Sequence, residues 1–108
     1  MDCVTCHTGV ESRERAGFPA IQKCATCHPE FPAAAKFPLR RVYRVPDYVF
    51  FSHARHRAAK VECRTCHGPV AERDVLTKEV PTTMKACVDC HKQAHASVSC
   101  TLCHELNQ

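Results

Sequence analysis

The chain has 108 residues with no Trp, two Tyr and five Phe. It is therefore one domain or two very small ones, and its own side chains are too few in large apolar types to build an ordinary core. The formal charge of +4 is scattered, without the run of about five basic residues that marks a nucleic-acid or polybasic membrane patch, which argues against a nucleic-acid partner. Apolar runs are only a few residues long, too short to span a bilayer or to form the heart of a signal peptide.

Ten cysteines in so short a chain point to a disulfide scaffold, to zinc sites or to covalently held cofactors, and the spacing decides among them. The first pair, Cys3 and Cys6, is followed at once by His7. The second, Cys24 and Cys27, precedes His28 and sits in a segment expected to be helical around 20–28. From 29 to 52 runs a connector in which Pro29, Pro32, Pro38 and Pro46 forbid a continuous helix. Its RVYRV and YVFF stretches are expected to line the faces of a large cofactor rather than to pair as strands. Arg40, Arg41 and Arg44 read first as a solvated face, with cofactor carboxylates or an acidic partner as the other readings.

A second helix is expected over 53–60, where His53 and His56 lie three residues apart and emerge from one turn. Then come Cys63 and Cys66 with His67, Cys87 and Cys90 with His91, and Cys100 and Cys103 with His104. The fourth of these pairs falls in a third predicted helix, 84–95, which begins at Met84 and includes His95; a four-residue separation would put His91 and His95 on one helical face.

Every cysteine thus belongs to a Cys-x-x-Cys-His triplet: CVTCH, CATCH, CRTCH, CVDCH and CTLCH. With 8 His among 108 residues, a histidine after every pair by chance has a probability on the order of one in a million. The order suits c-type haem attachment, in which two thiols a short turn apart add to the vinyl groups of one porphyrin and the next residue brings its imidazole to the iron. Five c-type haems are therefore expected, with His7, His28, His67, His91 and His104 as proximal ligands. Haem is joined to such motifs outside the cytoplasmic membrane, so the expected location is the periplasm or the extracytoplasmic membrane face.

The sixth iron position separates closed electron carriers from open catalytic haems. Donors for it are His53, His56 and His95, with Met84 as a thioether candidate that would otherwise simply pack on a porphyrin face. The spacings divide the chain into a dihaem segment (1–28), the Pro-rich connector (29–52) and a trihaem module (53–108). The expected fold is a small multihaem cytochrome c, mostly irregular with a few short α-helices, whose core is made of packed haems.

FSHARH, a short spacer and CRTCHG resemble the small multihaem cytochromes of the c3/c7 class, in which paired distal histidines precede a haem motif. The resemblance implies that His56 serves the haem on Cys63 and Cys66, and His53 that on Cys87 and Cys90. Over most of the chain, RVYRVPDYVFFSHARH, VECRTCHGPV and TMKACVDCHK are similar to the pentahaem subunit of alternative complex III, a bacterial membrane complex that passes electrons from menaquinol to a terminal acceptor. Members of that family carry an upstream targeting or anchoring helix and a further paired-histidine element, whereas this sequence opens MDCVTCH. The expectation is that Met1 is an internal methionine of a longer natural chain.

Electron transfer is the expected role, as a periplasmic carrier or as a subunit of a quinol-oxidising complex, with redox proteins and membrane-complex subunits as partners and no catalytic residue. The competing class is a multihaem reductase with an open-coordinate haem; the absence of a CxxCK motif weighs against it. A zinc-binding structural module is the third reading, and it predicts a colourless protein.

Overall fold

A computed structural model describes residues 2–31 and 40–105; Met1 and the connector prolines Pro32 and Pro38 lie outside the described residues. Its regular elements are short because Pro, Gly and motif boundaries interrupt the chain every few residues. They are α1 (Ile21–Ala25), α2 (His53–Ala58), α3 (Cys63–His67), α4 (Met84–Gln93) and α5 (Cys100–Cys103), with 3-10 turns at Cys3–Thr5, Thr8–Glu11 and Val70–Glu72. There is no β-strand among the described residues, so RVYRV and YVFF run as irregular backbone.

Side-chain caps start three of these elements. Asp2 accepts from the Val4 N–H at 3.4 Å, Ser52 from Arg55 N–H at 3.3 Å and Thr83 from Ala86 N–H at 3.3 Å. The two paired-histidine elements end alike. At the close of α2 the Lys60 N–H donates to Arg57 O and the Val61 N–H to His56 O; at the close of α4 His95 N–H donates to Lys92 O and Ala96 N–H to His91 O. Both are Schellman turns, in which the residue after the cap is left-handed: Lys60 has φ 60° and His95 φ 53°.

This turn changes one expectation. His95 is not part of α4, which ends at Gln93, so His91 and His95 do not share a helical face. Histidine enters the left-handed region more readily than most residues, and that preference stops the helix two residues short of the expected end.

The chain separates into two compact units, residues 1–40 with 52–61 and residues 41–51 with 62–108. In the first unit α2 packs on the Thr8–Glu11 turn, and the His53 and Ala54 N–H groups donate to Glu14 O at 3.0 Å and Arg13 O at 3.1 Å. These bonds occupy donors at the start of α2 that have no partner within the helix, which is why 52–61 associates with the N-terminal segment although sequence spacing grouped it with 62–108. Gly9 lets the backbone at 15–16 pass close to this turn: a Cβ there would lie 2.7 Å from Arg15 O and 2.5 Å from Ala16 O.

In the second unit Phe50 N–H donates to Cys103 O at 2.9 Å, fastening the 41–51 segment to α5. The Tyr43 hydroxyl accepts from the Glu79 and Val80 N–H groups at 3.1 and 3.3 Å. Arg73 closes the same loop through both carboxylate oxygens of Glu79, and Arg64 pairs with Glu72 at 3.3 Å. Gly68 ends α3 with φ 69°. Arg44, one of the three connector arginines, pairs with Asp47 on the surface at 3.2 Å.

Among the described residues no side chain is buried, and Phe18, Tyr48, Phe50, Val75 and Met84 are largely exposed. The described residues by themselves close no apolar core.

Candidate functional site

Each Cys-x-x-Cys-His triplet is wound into one helical turn. The His N–H donates to the carbonyl of the first cysteine at 2.9 Å in His7 to Cys3, His28 to Cys24 and His104 to Cys100. The third triplet is α3 itself, and the fourth lies inside α4. The first triplet differs from an α-helical expectation, because Cys3–Thr5 is a 3-10 turn and Cys6 is its C-terminal cap. There the Cys6 N–H donates to Cys3 O at 3.2 Å while His7 N–H donates to the same carbonyl, so the turn still closes. Cys6 is half-buried and Cys3 exposed. A turn of this kind brings side chains at i, i+3 and i+4 to one face, so both sulfurs and the imidazole of each triplet are presented together. None of the ten cysteines is in a disulfide.

The imidazoles are held in one tautomer. Nδ1 of His7 lies 2.7 Å from Gly17 O, that of His91 2.7 Å from Ser97 O and that of His104 3.4 Å from Tyr48 O. His28 Nδ1 is 3.1 Å from the Glu30 carboxylate. On α2, His53 Nδ1 is 2.8 Å from Glu14 O and His56 Nδ1 2.8 Å from Ser52 O. Carbonyl and carboxylate oxygens only accept, so Nδ1 carries the proton and donates; the neutral ring then has its lone pair on Nε2, the form in which histidine ligates iron.

Aromatic rings stand beside four of the triplet histidines. Tyr43 meets His67 edge-on at 4.7 Å between centroids, Phe18 meets His7 at 6.3 Å, Phe31 meets His28 at 5.3 Å and Tyr48 meets His104 at 5.9 Å. Sequence reasoning singled out none of these contacts, nor Glu30. The RVYRV and YVFF segments were the one usable signal: their tyrosines pack against His67 and His104. Met84 stands on the first turn of α4 with 68% of its surface exposed, and His95 is exposed on the turn after α4.

Within the second unit the thiols are close enough to sense one another. Burial, and then the charges of Cys90, Cys87 and Cys63, push the Cys66 thiol up from its ordinary value; burial, and then Cys103 and Cys90, do the same for Cys87. Among the described residues no group of three or more His, Cys, Asp or Glu side chains is gathered to hold one bare metal ion, and no helix is long and apolar enough to cross a membrane.

Residues 49–105 match the family model of cytochrome c7 and related cytochrome c. The chain belongs to that family. This cytochrome is 30% identical, over 146 aligned residues, to the multihaem cytochrome c subunit of a menaquinone reductase from Nitratidesulfovibrio vulgaris Hildenborough, with 97% of the chain and 70% of the relative covered. It is 28% identical over 146 residues to the high-molecular-weight cytochrome c of the same organism, covering 94% of the chain and 26% of that relative. The c3/c7-class cytochrome expected from FSHARH and CRTCHG is the class found.

Membership means covalently attached c-type haem and electron transfer. The residues present fit that group on their own geometry: paired sulfurs and an imidazole on one face of a turn, a tautomer fixed for Nε2 ligation, and exposed apolar rings alongside. Haem supplies the one-electron iron couple, and the polypeptide supplies attachment, axial ligands and the surroundings that set its potential.

Proposed function

We propose that this cytochrome carries five c-type haems and relays electrons through them, as a periplasmic carrier or as a non-catalytic subunit of a quinol-oxidising respiratory complex. Attachment is assigned to five pairs: Cys3 with Cys6, Cys24 with Cys27, Cys63 with Cys66, Cys87 with Cys90, and Cys100 with Cys103. The proximal ligands are His7, His28, His67, His91 and His104. His53, His56 and His95 are assigned to sixth positions, with Met84 as the remaining donor.

The observation that carries this reading is that all five triplets form the same one-turn face in a chain of 108 residues. A role beside a quinone-linked complex draws on the relative named as a menaquinone reductase subunit; that name gives the quinone-reducing direction, and quinol oxidation is this proposal's own addition. Haem grouping in a dihaem segment and a trihaem module is part of the proposal. Support for the trihaem part is the sequence spacing, which puts three of the five triplets between residues 63 and 104.

The protein produced with haem maturation in an exporting host should show five haems by intact mass and a sharp low-spin α band on reduction. Replacing Cys63 and Cys66 by Ser should remove one haem and leave the rest. A colourless protein or a bound zinc overturns the proposal. Rapid carbon monoxide binding by the reduced protein would instead favour a reductase with an open-coordinate haem.

A further inference from the structure

The proximal histidines differ in what holds their Nδ1–H. For His7, His91 and His104 the acceptor is a neutral backbone carbonyl, of Gly17, Ser97 and Tyr48 respectively. For His28 it is the Glu30 carboxylate at 3.1 Å. The contact is built by a β-turn: Phe31 N–H donates to His28 O at 3.1 Å, Pro29 has its φ fixed by the ring, and Glu30 is set at the third position of the turn beside the imidazole.

We propose that Glu30 is a potential-setting residue for the haem on Cys24 and Cys27, holding it at a lower potential than a carbonyl acceptor would. This rests on the reading of His28 as that haem's proximal ligand. A carboxylate, ionised at neutral pH, draws the shared proton further from Nδ1 than a carbonyl does. The ring gains imidazolate character, Nε2 becomes a stronger donor, and ferric iron is favoured over ferrous. In a relay this haem gives up its electron more readily than an equivalent haem whose histidine bonds to a carbonyl. The two side chains are 55% and 64% exposed in the polypeptide, so solvent screening limits the effect to about tenfold in the ferrous-to-ferric ratio, 59 mV for a one-electron couple.

The test is a spectroelectrochemical titration of the haem-loaded protein, with the haem on Cys24 and Cys27 assigned by NMR. Glu30→Gln keeps a possible acceptor without charge, and Glu30→Ala removes acceptor and charge together. Glu11→Gln, in the same compact unit, removes an equal charge that bonds no ligand histidine.

Either Glu30 variant should raise the potential of that one haem, by up to the tenfold ratio, with the other haems and the haem count by mass unchanged and Glu11→Gln silent. An unchanged potential in a fully loaded Glu30 variant overturns the proposal and leaves the cytochrome reading intact, as does an equal shift in Glu11→Gln. If mass mapping of the parent protein finds no haem on Cys24 and Cys27, the reading beneath the proposal fails as well. Where Glu30→Gln loads poorly, the potential measured in Glu30→Ala decides in the same way.

Discussion

At the scale of single residues, a recurring device is an imidazole whose Nδ1–H is anchored to an oxygen while Nε2 is left to donate. The anchors are inexpensive in sequence terms, since a backbone carbonyl is available from any residue, which is why Gly17, Ser97 and Tyr48 carry no common signature. Tyr43 is different, because it uses its side chain twice, with a ring against His67 and a hydroxyl accepting from Glu79 and Val80. Tyr43→Phe keeps the ring and loses the acceptor, and should lower stability by about 1 kcal/mol as read by thermal unfolding of the loaded protein. The haem count should not change.

The Glu79 carboxylate is held below the usual range chiefly by the Arg73 hydrogen bond, opposed next by burial, with the charge of Arg73 a smaller lowering effect. Its depressed value means that its contribution is present above the ordinary glutamate pKa and is lost as pH falls through the lowered value. Glu79→Gln should therefore lower stability slightly at neutral pH and leave it unchanged at pH below the lowered value, flattening the acid limb, and the effect is small because the pair is at the surface.

At the scale of elements, caps and Schellman turns explain where the short helices begin and end. The predicted helices at 20–28, 53–60 and 84–95 correspond to 21–25, 53–58 and 84–93, and the shortfall at each C-terminus reflects local turns that periodicity does not reveal. Lys60 holds a left-handed φ of 60°, a conformation that disfavours any residue with a Cβ. Lys60→Gly should raise the melting temperature, equivalent to as much as about 1 kcal/mol after the entropy of glycine in the unfolded chain offsets part of the relief. Ser52→Ala removes the cap from α2 and should cost about 1 kcal/mol. Because α2 carries His53 and His56, proposed here as sixth-position ligands, the same variant should also increase any high-spin component in the optical spectrum.

At the scale of the molecule, α4, the longest helix among the described residues, has 10 residues, below the roughly 12–15 that an isolated helix needs in water. No described side chain is buried. Stability must therefore come from attachment to a cofactor, as in small metal domains. The chain made without haem attachment should show little helical circular dichroism and lose the cooperative unfolding of the loaded protein. A fully helical, cooperatively folded apoprotein would contradict this.

The Cys-x-x-Cys-His triplets were legible in the sequence because each is contained in one turn: five residues supply both sulfurs and the imidazole, and no distant contact is needed to recognise them. Composition pointed the same way, since a chain poor in large apolar side chains must obtain its core elsewhere. The Glu30 partner of His28 lies only two residues away and was within reach of a local reading, but only the bend after Pro29 shows the carboxylate meeting the ring. Tertiary structure alone decided that α2 associates with the N-terminal segment, that Tyr43 braces the loop at Glu79, and that Tyr48 anchors His104. These contacts join residues 39, 36 and 56 positions apart. In each of them one of the two groups belongs to the backbone, which every residue possesses, so no pattern of side chains announces them.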